Sequence, residues 1–155
     1  MKSKDNLPSV SIVIIGRNEA GNIQECIMSV FAMDYPQELL EVIYVDTGST
    51  DCTLDIVRSA GVKVIEELNN TPSAALARNR GIVESNNKII HFIDGDMRID
   101  PSYLKKAVNK LVDGDLACVF GRVVERYADT NWISRMLNVD WRQKEEGYIS
   151  APGGG

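Results

Sequence analysis

One stretch of the sequence decides the fold: Lys88-Ile89-Ile90-His91-Phe92-Ile93-Asp94-Gly95-Asp96. A short apolar run that is rich in β-branched residues and ends in a polar turn predicts a buried β-strand. In extended chain, side chains two residues apart point the same way, so Asp94 and Asp96 can face one ligand. Carboxylate oxygens are ligands that Mg²⁺ and Mn²⁺ prefer. The stretch therefore predicts a strand that ends in a candidate metal site.

Strand and helix patterns alternate on both sides of this stretch. Strands are expected at 10–15, 42–45 and 62–65, with helices at about 20–32, 50–61 and 74–85. Beyond it, the pattern predicts a helix that is capped by Asp100 and starts at Pro101, a strand over 116–124 and a helix over 130–143. Alternation at this spacing indicates βαβ units. We therefore expect an α/β fold, with a mostly parallel sheet and helices on both faces.

Polar residues collect where the expected strands end. They are Arg17-Asn18-Glu19 after the first strand, the segment 46–51 after the second, and the triplet 94–96. In parallel sheets, ligands bind beyond the carboxyl ends of the strands. Acidic groups that converge on one edge need a cation, a hydroxyl-rich ligand or both.

The first polar loop is neither of two common phosphate cradles. Asn22 stands where a phosphate-binding loop needs lysine, and Asn18 occupies the second glycine position of the dinucleotide pattern. Asn18 and Glu19 can instead cap the next helix, and Asp46 can close an Asx turn into Thr47-Gly48. The residues themselves leave these structural alternatives open beside ligand binding.

Other candidate residues have an ordinary explanation that is more common. His91, the only histidine, lies inside a strand, which favours a core role over catalysis. Arg78 and Arg80 can reach a diphosphate, but arginine on a helix more often forms a solvated face. Trp132 and Trp141 are core residues in the simpler interpretation, or stack on a sugar or a partner.

Composition and charge narrow the class of protein. The chain has 155 residues, enough for one domain, and its net charge of -5 argues against a nucleic-acid binder. The N-terminus lacks a signal-peptide core, and no apolar stretch could span a bilayer, so membrane association is not indicated. Cys26, Cys52 and Cys118 fit neither a zinc site nor a disulfide framework. We expect them to be reduced and mostly buried, and the protein to be cytoplasmic.

Taken in order, four stretches of the sequence resemble the family 2 glycosyltransferases, which have the Rossmann-like GT-A fold. They are Val10–Ile14 followed by Asn18-Glu19, Val45–Asp51, Ala77–Gly81 and Phe92–Asp96. The resemblance runs from about Pro8 to the C-terminus. It indicates the N-terminal, nucleotide-sugar-binding part of such an enzyme.

The resemblance implies a set of site residues. A nucleoside-diphosphate sugar, UDP- or GDP-linked, would be bound by Gly16, Asn18, Glu19, Asp46, Ser73, Arg78, Asp94 and Gly95. Asp46 would lie at the base and Asp94 on the ribose side. Asp96, with Asp94, would bind Mg²⁺ or Mn²⁺. Thr47 stands where the family often has a second acid.

The resemblance also implies a reaction and a domain plan. The sugar would pass with inversion to a hydroxyl of a glycan, lipid or other acceptor, with the catalytic base beyond Gly155. We expect a flexible N-terminus at 1–7, a donor-binding domain at 8–124, and the start of an acceptor-side region at 125–155. The closing glycine run suggests a chain cut before the acceptor-binding half. A missing C-terminal part would then place the protein at the inner membrane face.

Two rival functions compete with sugar transfer. A domain of the same fold could bind a nucleotide or a protein partner without catalysis, and this fragment alone could bind only the donor. A phosphoryl-accepting signalling domain would need a lysine on its late strand, where this chain offers only Arg122.

Overall fold

The computed structural model of the chain describes residues 7–67 and 73–123. The chain divides into two units between residues 119 and 120, and all the helices and strands named below belong to the first unit. These elements, in chain order, are β1 (Val10–Gly16), α1 (Ile23–Phe31), a short 3₁₀ turn (Gln37–Leu39), β2 (Leu40–Asp46), α2 (Thr53–Ser59), β3 (Lys63–Glu66), α3 (Ala74–Glu84), β4 (Ile89–Asp94) and α4 (Tyr103–Asp113).

The four strands form one parallel sheet in the order β3-β2-β1-β4. Gly16 pairs in register with Asp46, and Ile15 pairs with Asp94. The carboxyl ends of three strands therefore meet at one edge, as the alternating pattern predicted. The expected α/β fold with a mostly parallel sheet is confirmed.

Helices cover both faces of the sheet. One apolar cluster joins even-numbered residues of β1 and β2, such as Ile12, Ile14 and Tyr44, to buried residues of α1, α2 and α4. The opposite cluster joins Val13 and its neighbours to Ala77 of α3. Strands with both faces covered read as continuous apolar runs, which explains the sequence pattern of β1.

A glycine sets the close approach of α3 to the sheet. A Cβ added to Gly81 would lie 2.3 Å from Cγ1 of Val13, so a larger residue would push the helix away from β1. This contact holds α3 with its first turn next to the carboxyl edge of the sheet.

Within the described residues, no helix is long and apolar enough to cross a bilayer.

The start of α4 differs from the prediction. The helix begins at Tyr103 rather than Pro101, with Ser102 at the N-cap position. Asp100 accepts hydrogen bonds at Oδ1 from Ser102 N at 2.9 Å and from Ser102 Oγ at 2.6 Å. Asp100 therefore caps the turn of Pro101 and Ser102 that leads into the helix, as the sequence predicted, whereas Ser102 itself makes no side-chain cap hydrogen bond.

Two further expectations are wrong where the structure describes the chain. Residues 116–123 form no strand there, since an apolar run becomes a strand only where a neighbour bonds to its backbone. Cys26 is buried, but Cys52 and Cys118 are exposed. The helix expected over 130–143, with both tryptophans, lies outside the described residues.

Candidate functional site

A cavity of about 330 Å³ opens at the carboxyl edge of the sheet. Its volume falls in the range of small-molecule clefts. Its lining comes from the ends of β1, β2 and β4 and from the start of α3: Ile15, Gly16, Arg17, Glu19, Thr47, Ser73, Ala74, Ala77, Asp94, Gly95 and Asp96.

The acidic triplet after β4 forms a tight turn on this cavity. Gly95 N donates to the carbonyl of Ile15 at 2.8 Å, and Met97 N donates to the carbonyl of Asp94 at 2.9 Å. Asp94 Oδ1 accepts a hydrogen bond from Arg78 Nη2 at 2.8 Å. The backbone of the triplet is thus anchored to β1, and one of its two acids is ion-paired.

Asp96 differs from Asp94 in its surroundings. Its side chain is exposed, and no hydrogen bond or ion pair to it occurs within residues 7–67 and 73–123. A carboxylate has room for about four hydrogen bonds or metal contacts. Asp96 therefore offers a free acceptor at the cavity wall.

The buried Cys26 side chain contacts the backbone of the triplet. Its thiol lies 3.7 Å from the carbonyl oxygen of Asp94, to which it donates. Burial, together with the negative charges of Asp96, Glu19 and Asp94, raises the pKa of the Cys26 thiol to about 12. The thiol stays protonated at neutral pH and so keeps its donor hydrogen.

Two glycines make room for Glu19. A Cβ on Gly95 would lie 3.1 Å from Glu19 Cγ, and one on Gly16 would lie 3.0 Å from the same atom and 2.8 Å from Tyr44 Oη. The space on the Cβ side of Gly95 is therefore filled by Glu19. Gly95 is needed for this packing, and it also lies on the cavity wall.

The loops after β1 and β2 are locked together by side chains. Asn18, whose φ is 57°, donates its backbone N–H to Ser49 Oγ at 2.9 Å and accepts from Thr50 N at Oδ1 at 2.8 Å. Glu19 N donates to Thr53 Oγ1 at 2.8 Å. Asn18 therefore binds the neighbouring loop and does not cap α1, which begins at Ile23 with Asn22 at its N-cap position.

Within the described part of the chain, the carboxylate of Asp46 accepts hydrogen bonds only from its own loop. It is 1% exposed, and its carboxylate accepts from Gly48 N and Ser49 N, each at 2.8 Å, and from Ser49 Oγ at 2.5 Å. This is the Asx turn that the sequence left open. Asp46 is not part of the cavity wall, and its expected contact with the base stays a prediction.

The structure brings some of the expected residues together and leaves others behind the wall. The cavity wall includes six of them: Gly16, Glu19, Ser73, Asp94, Gly95 and Asp96. Asn18 and Asp46 order the loops behind it, and Arg78 reaches it through Asp94.

Two polar wall residues were grouped at the strand ends by the sequence interpretation but were not assigned to the site. Arg17 lies on the wall and donates from Nε to the carbonyl of Gly48 at 3.2 Å. Thr47 also lies on the wall. The signal was present, since both residues directly follow a strand end.

Arg80 and His91 follow their simpler interpretation. Arg80 pairs with Glu84 at 3.0 Å and with Glu67 at 3.9 Å on the outer side of α3. The His91 ring lies 5.4 Å from that of Tyr103, and burial lowers the pKa of His91 to about 4. Neither residue lies on the cavity wall.

The donor atoms present fit a hard divalent cation shared with a ligand. Within the described part of the chain, no three His, Cys, Asp or Glu side chains are grouped to hold a metal by themselves. Asp94 and Asp96 offer carboxylate oxygens only, which suits Mg²⁺ or Mn²⁺. Such ions commonly take one or two carboxylates and complete their shell with water and substrate phosphates.

A larger surface hollow of about 530 Å³ lies elsewhere. It is lined by Gln24, Glu25, Met28 and Arg98. Glu25 and Arg98 form an ion pair with each other, which leaves few polar groups to orient a ligand. We assign the site to the smaller cavity, where strand ends and acids converge.

Comparison with known proteins gives the chain its family. The profile described as "Glycosyl transferase family 2" matches residues 11–152. The chain is 36% identical to glycosyltransferase AglE of Haloferax volcanii over 126 residues, which are 78% of this chain and 41% of AglE. It is 34% identical to the poly(ribitol-phosphate) beta-glucosyltransferase of Bacillus spizizenii over 105 residues, 64% of this chain and 17% of that enzyme.

Solved structures show the same fold. Staphylococcus aureus TarS 1–349 in complex with UDP-GlcNAc superposes with a TM-score of 0.65 at 25% identity, covering 79% of this chain and 38% of TarS. The mannosyltransferase PcManGT of Pyrobaculum calidifontis, in complex with GDP-Man and Mn²⁺, has a TM-score of 0.65 at 27% identity and covers 81% of this chain and 38% of PcManGT.

The match is extensive along this chain but partial along its relatives. The chain spans about two fifths of the length of AglE and of the solved structures. The family profile nevertheless covers all of β1 to α4 except the first residue of β1. The GT-A-like sheet, the acidic turn at its carboxyl edge and the family match agree, and the chain belongs to glycosyl transferase family 2.

Proposed function

We propose that this chain binds a nucleoside-diphosphate sugar through a divalent cation, as the donor side of an inverting glycosyltransferase. The observation that carries the proposal is the exposed Asp96 carboxylate, which has no partner in the described residues and lies beside Asp94 on the cavity wall. The complexes of TarS with UDP-GlcNAc and of PcManGT with GDP-Man and Mn²⁺ support a donor of this class.

Asp96 and the oxygen of Asp94 that faces away from Arg78 would hold Mg²⁺ or Mn²⁺. When bound, the cation supplies Lewis acidity that offsets the charge of a leaving diphosphate. The Mn²⁺ and UDP complex of the glucosyl-3-phosphoglycerate synthase of Mycobacterium tuberculosis supports this use of a metal in a relative.

The diphosphate would meet the start of α3 and Arg17. Ser73 and Ala74 lie on the wall at the N-terminal end of α3. The backbone N–H groups of the first helical turn have no partner within the helix. These N–H groups favour an anion. Arg17 adds a cationic side chain to the same wall.

The rest of the reaction is proposed from the family. The sugar would pass with inversion to a hydroxyl of a glycan, lipid or other acceptor, and a general base outside this chain would take the hydroxyl proton. Glu19 is not assigned that role, because its carboxylate already accepts from Asn22 Nδ2 at 3.1 Å and its stem packs on two glycines. The cytoplasmic compartment stays a prediction.

The alternative is a domain of this fold that binds nucleotides or proteins without catalysis. The position of both acids of the turn on the cavity wall, within the stretch that matches the family, favours sugar transfer.

Calorimetric titration tests the proposal directly. UDP and GDP are titrated into the chain with and without Mn²⁺, and we expect binding of at least one nucleotide that depends on the metal. Asp96→Ala should weaken this binding about a hundredfold, or about 2.8 kcal/mol. Asp55→Ala is the matched control, since Asp55 is an exposed acid of α2 away from the cavity. If neither nucleotide binds with Mn²⁺ present, the proposal is wrong.

A further inference from the structure

Arg78 and Asp94 form an ion pair at the cavity. Arg78 Nη2 lies 2.8 Å from Asp94 Oδ1, and the two side chains are 39% and 38% exposed. Asp96, two residues away, has no such counter-charge within the described part of the chain. The fold therefore neutralises one acid of the triplet and leaves the other open.

The fold holds both members of the pair in place. Arg78 follows Ala77, which is 1% exposed and packs on the sheet, and Gly81 seats the same helix on Val13. Asp94 ends β4, and its carbonyl accepts hydrogen bonds from the turn and from Cys26. The ion pair thus joins two fixed backbones, and the pairing needs little ordering of the chain.

A paired carboxylate is a poorer metal ligand than a free one. The guanidinium occupies one oxygen of Asp94 and places a positive charge beside any cation that binds the other oxygen. In the absence of a nucleotide, a metal therefore meets an exposed Asp96 carboxylate and an Asp94 carboxylate with one oxygen already bonded to Arg78. A nucleoside diphosphate adds negative charge and phosphate oxygens, which offset the repulsion by Arg78.

We propose that Arg78 is an internal counter-cation that competes with the divalent metal for Asp94, so that metal binds weakly alone and tightly only with the nucleoside diphosphate. The metal-alone half of this proposal stands on the ion pair itself, and the nucleotide half rests on the proposed function. Because coupling between two ligands is reciprocal, the same device makes nucleotide affinity depend strongly on the metal.

The test measures Mn²⁺ alone, by the loss of its free electron paramagnetic resonance signal. Arg78→Met removes the charge and keeps an apolar stem, and we expect it to raise the affinity for Mn²⁺ about five- to tenfold. Arg80→Met is the matched control on the same helix, because Arg80 pairs with Glu84 and Glu67 instead. It should leave Mn²⁺ binding unchanged.

A second background shows whether Arg78 acts through Asp94. In Asp94→Asn, the further change Arg78→Met should give little gain, because the competed carboxylate is gone. Arg78→Lys, which keeps the charge, should bind Mn²⁺ as weakly as the unaltered chain. Thermal unfolding of each variant verifies that it is folded at the titration temperature.

Several outcomes would overturn the role of Arg78. They are an unchanged Mn²⁺ affinity in Arg78→Met, an equal rise in Arg80→Met, and an equal gain in the Asp94→Asn background. A failure of UDP and GDP to bind the unaltered chain with Mn²⁺ would remove the proposed function instead. The Mn²⁺-alone comparison would still decide whether Arg78 competes for Asp94.

Discussion

Two polar clusters lie at opposite edges of the same sheet and differ in how fully their acids are bonded. At the amino edge, Glu41 accepts from Ser11 Oγ at 2.5 Å, from Asn86 N at 2.9 Å and from the side chain of Asn86. Asn87 then donates to Ser11 Oγ from its backbone at 3.3 Å and from its side chain at 3.2 Å. We call these four residues the amino-edge cluster.

The acidic turn at the carboxyl edge has the same kinds of atoms but is incompletely bonded. Asp94 is bonded to Arg78, and Asp96 has no partner in the described residues. Because the Asp96 side chain is exposed, water satisfies it in the free protein, and its oxygens stay available to a metal or a ligand at the cavity. The comparison teaches that bonding, more than composition, separates a structural cluster from a site.

The largest expected effect on stability comes from breaking the amino-edge cluster. Glu41→Ala should lower the free energy of unfolding by about 2–3 kcal/mol, because it leaves Ser11, which is 0% exposed, without its acceptor. Urea unfolding measures this change. Donor binding should be unaltered in the folded protein, because the cluster lies at the far edge of the sheet.

The reciprocal variant completes this test. Asp96→Asn should change the free energy of unfolding by less than about 0.5 kcal/mol and remove metal-dependent nucleotide binding. The comparison would break if Asp96→Asn cost as much stability as Glu41→Ala, or if folded Glu41→Ala no longer bound the donor.

Acid titration sharpens the role of Glu41. Burial alone would raise the pKa of its carboxyl, but hydrogen bonds from Ser11 and Asn86 outweigh this and hold the pKa below its ordinary value of 4.5. The unfolded chain therefore takes up the proton first, and the stabilisation is lost as the pH falls below about 4.5. Glu41→Gln should remove this part of the pH dependence.

Asp46 tests an intermediate case, a fully bonded acid at the carboxyl edge. Asp46→Asn should lower the free energy of unfolding by about 1–2 kcal/mol, since an amide cannot accept all three bonds from Gly48 and Ser49. Donor affinity should fall less than about tenfold through loosening of the loop, with no change in preference between UDP and GDP. A changed preference in calorimetry would instead show that Asp46 contacts the base.

The sheet could be predicted from the sequence because its strands carry apolar runs, and the central strand β1 is buried on both faces. Continuous β-branched runs such as 10–15 favour a single structure, and parallel topology then places their polar ends together. The start of α4 was not readable in the same way. Asp100 accepts the capping bond as expected, but a turn over Pro101 and Ser102 intervenes, so the α-helix starts only at Tyr103. The strand expected at 116–124 failed because apolar pattern alone supplies no pairing partner.

The sequence predicted which loops form the site, but not the hydrogen bonds and ion pairs within it. Spacing placed Asp94 and Asp96 on one edge, and the family resemblance added Ser73 and Arg78. The pairing of Arg78 with Asp94 depends on how α3 is rotated on the sheet, which Gly81 sets through a contact that local sequence does not reveal. Arg17 was grouped with the polar residues at the strand ends but was not assigned to the site, because an arginine there more often faces solvent.

The smallest expected effect near neutral pH concerns His91, a polar side chain of β4. Burial lowers its pKa to about 4, so the unfolded chain binds a proton below about pH 6.5 that the folded chain refuses until about pH 4. The free energy of unfolding should therefore fall with the pH through this window, by roughly 0.7 kcal/mol between about pH 7 and pH 6. Because His91 is the only histidine, one imidazole resonance in proton NMR reports its titration without ambiguity. A midpoint at or above pH 6.5, or the same slope in His91→Gln, would show that the ring is hydrated and that β4 is open to solvent between the clusters.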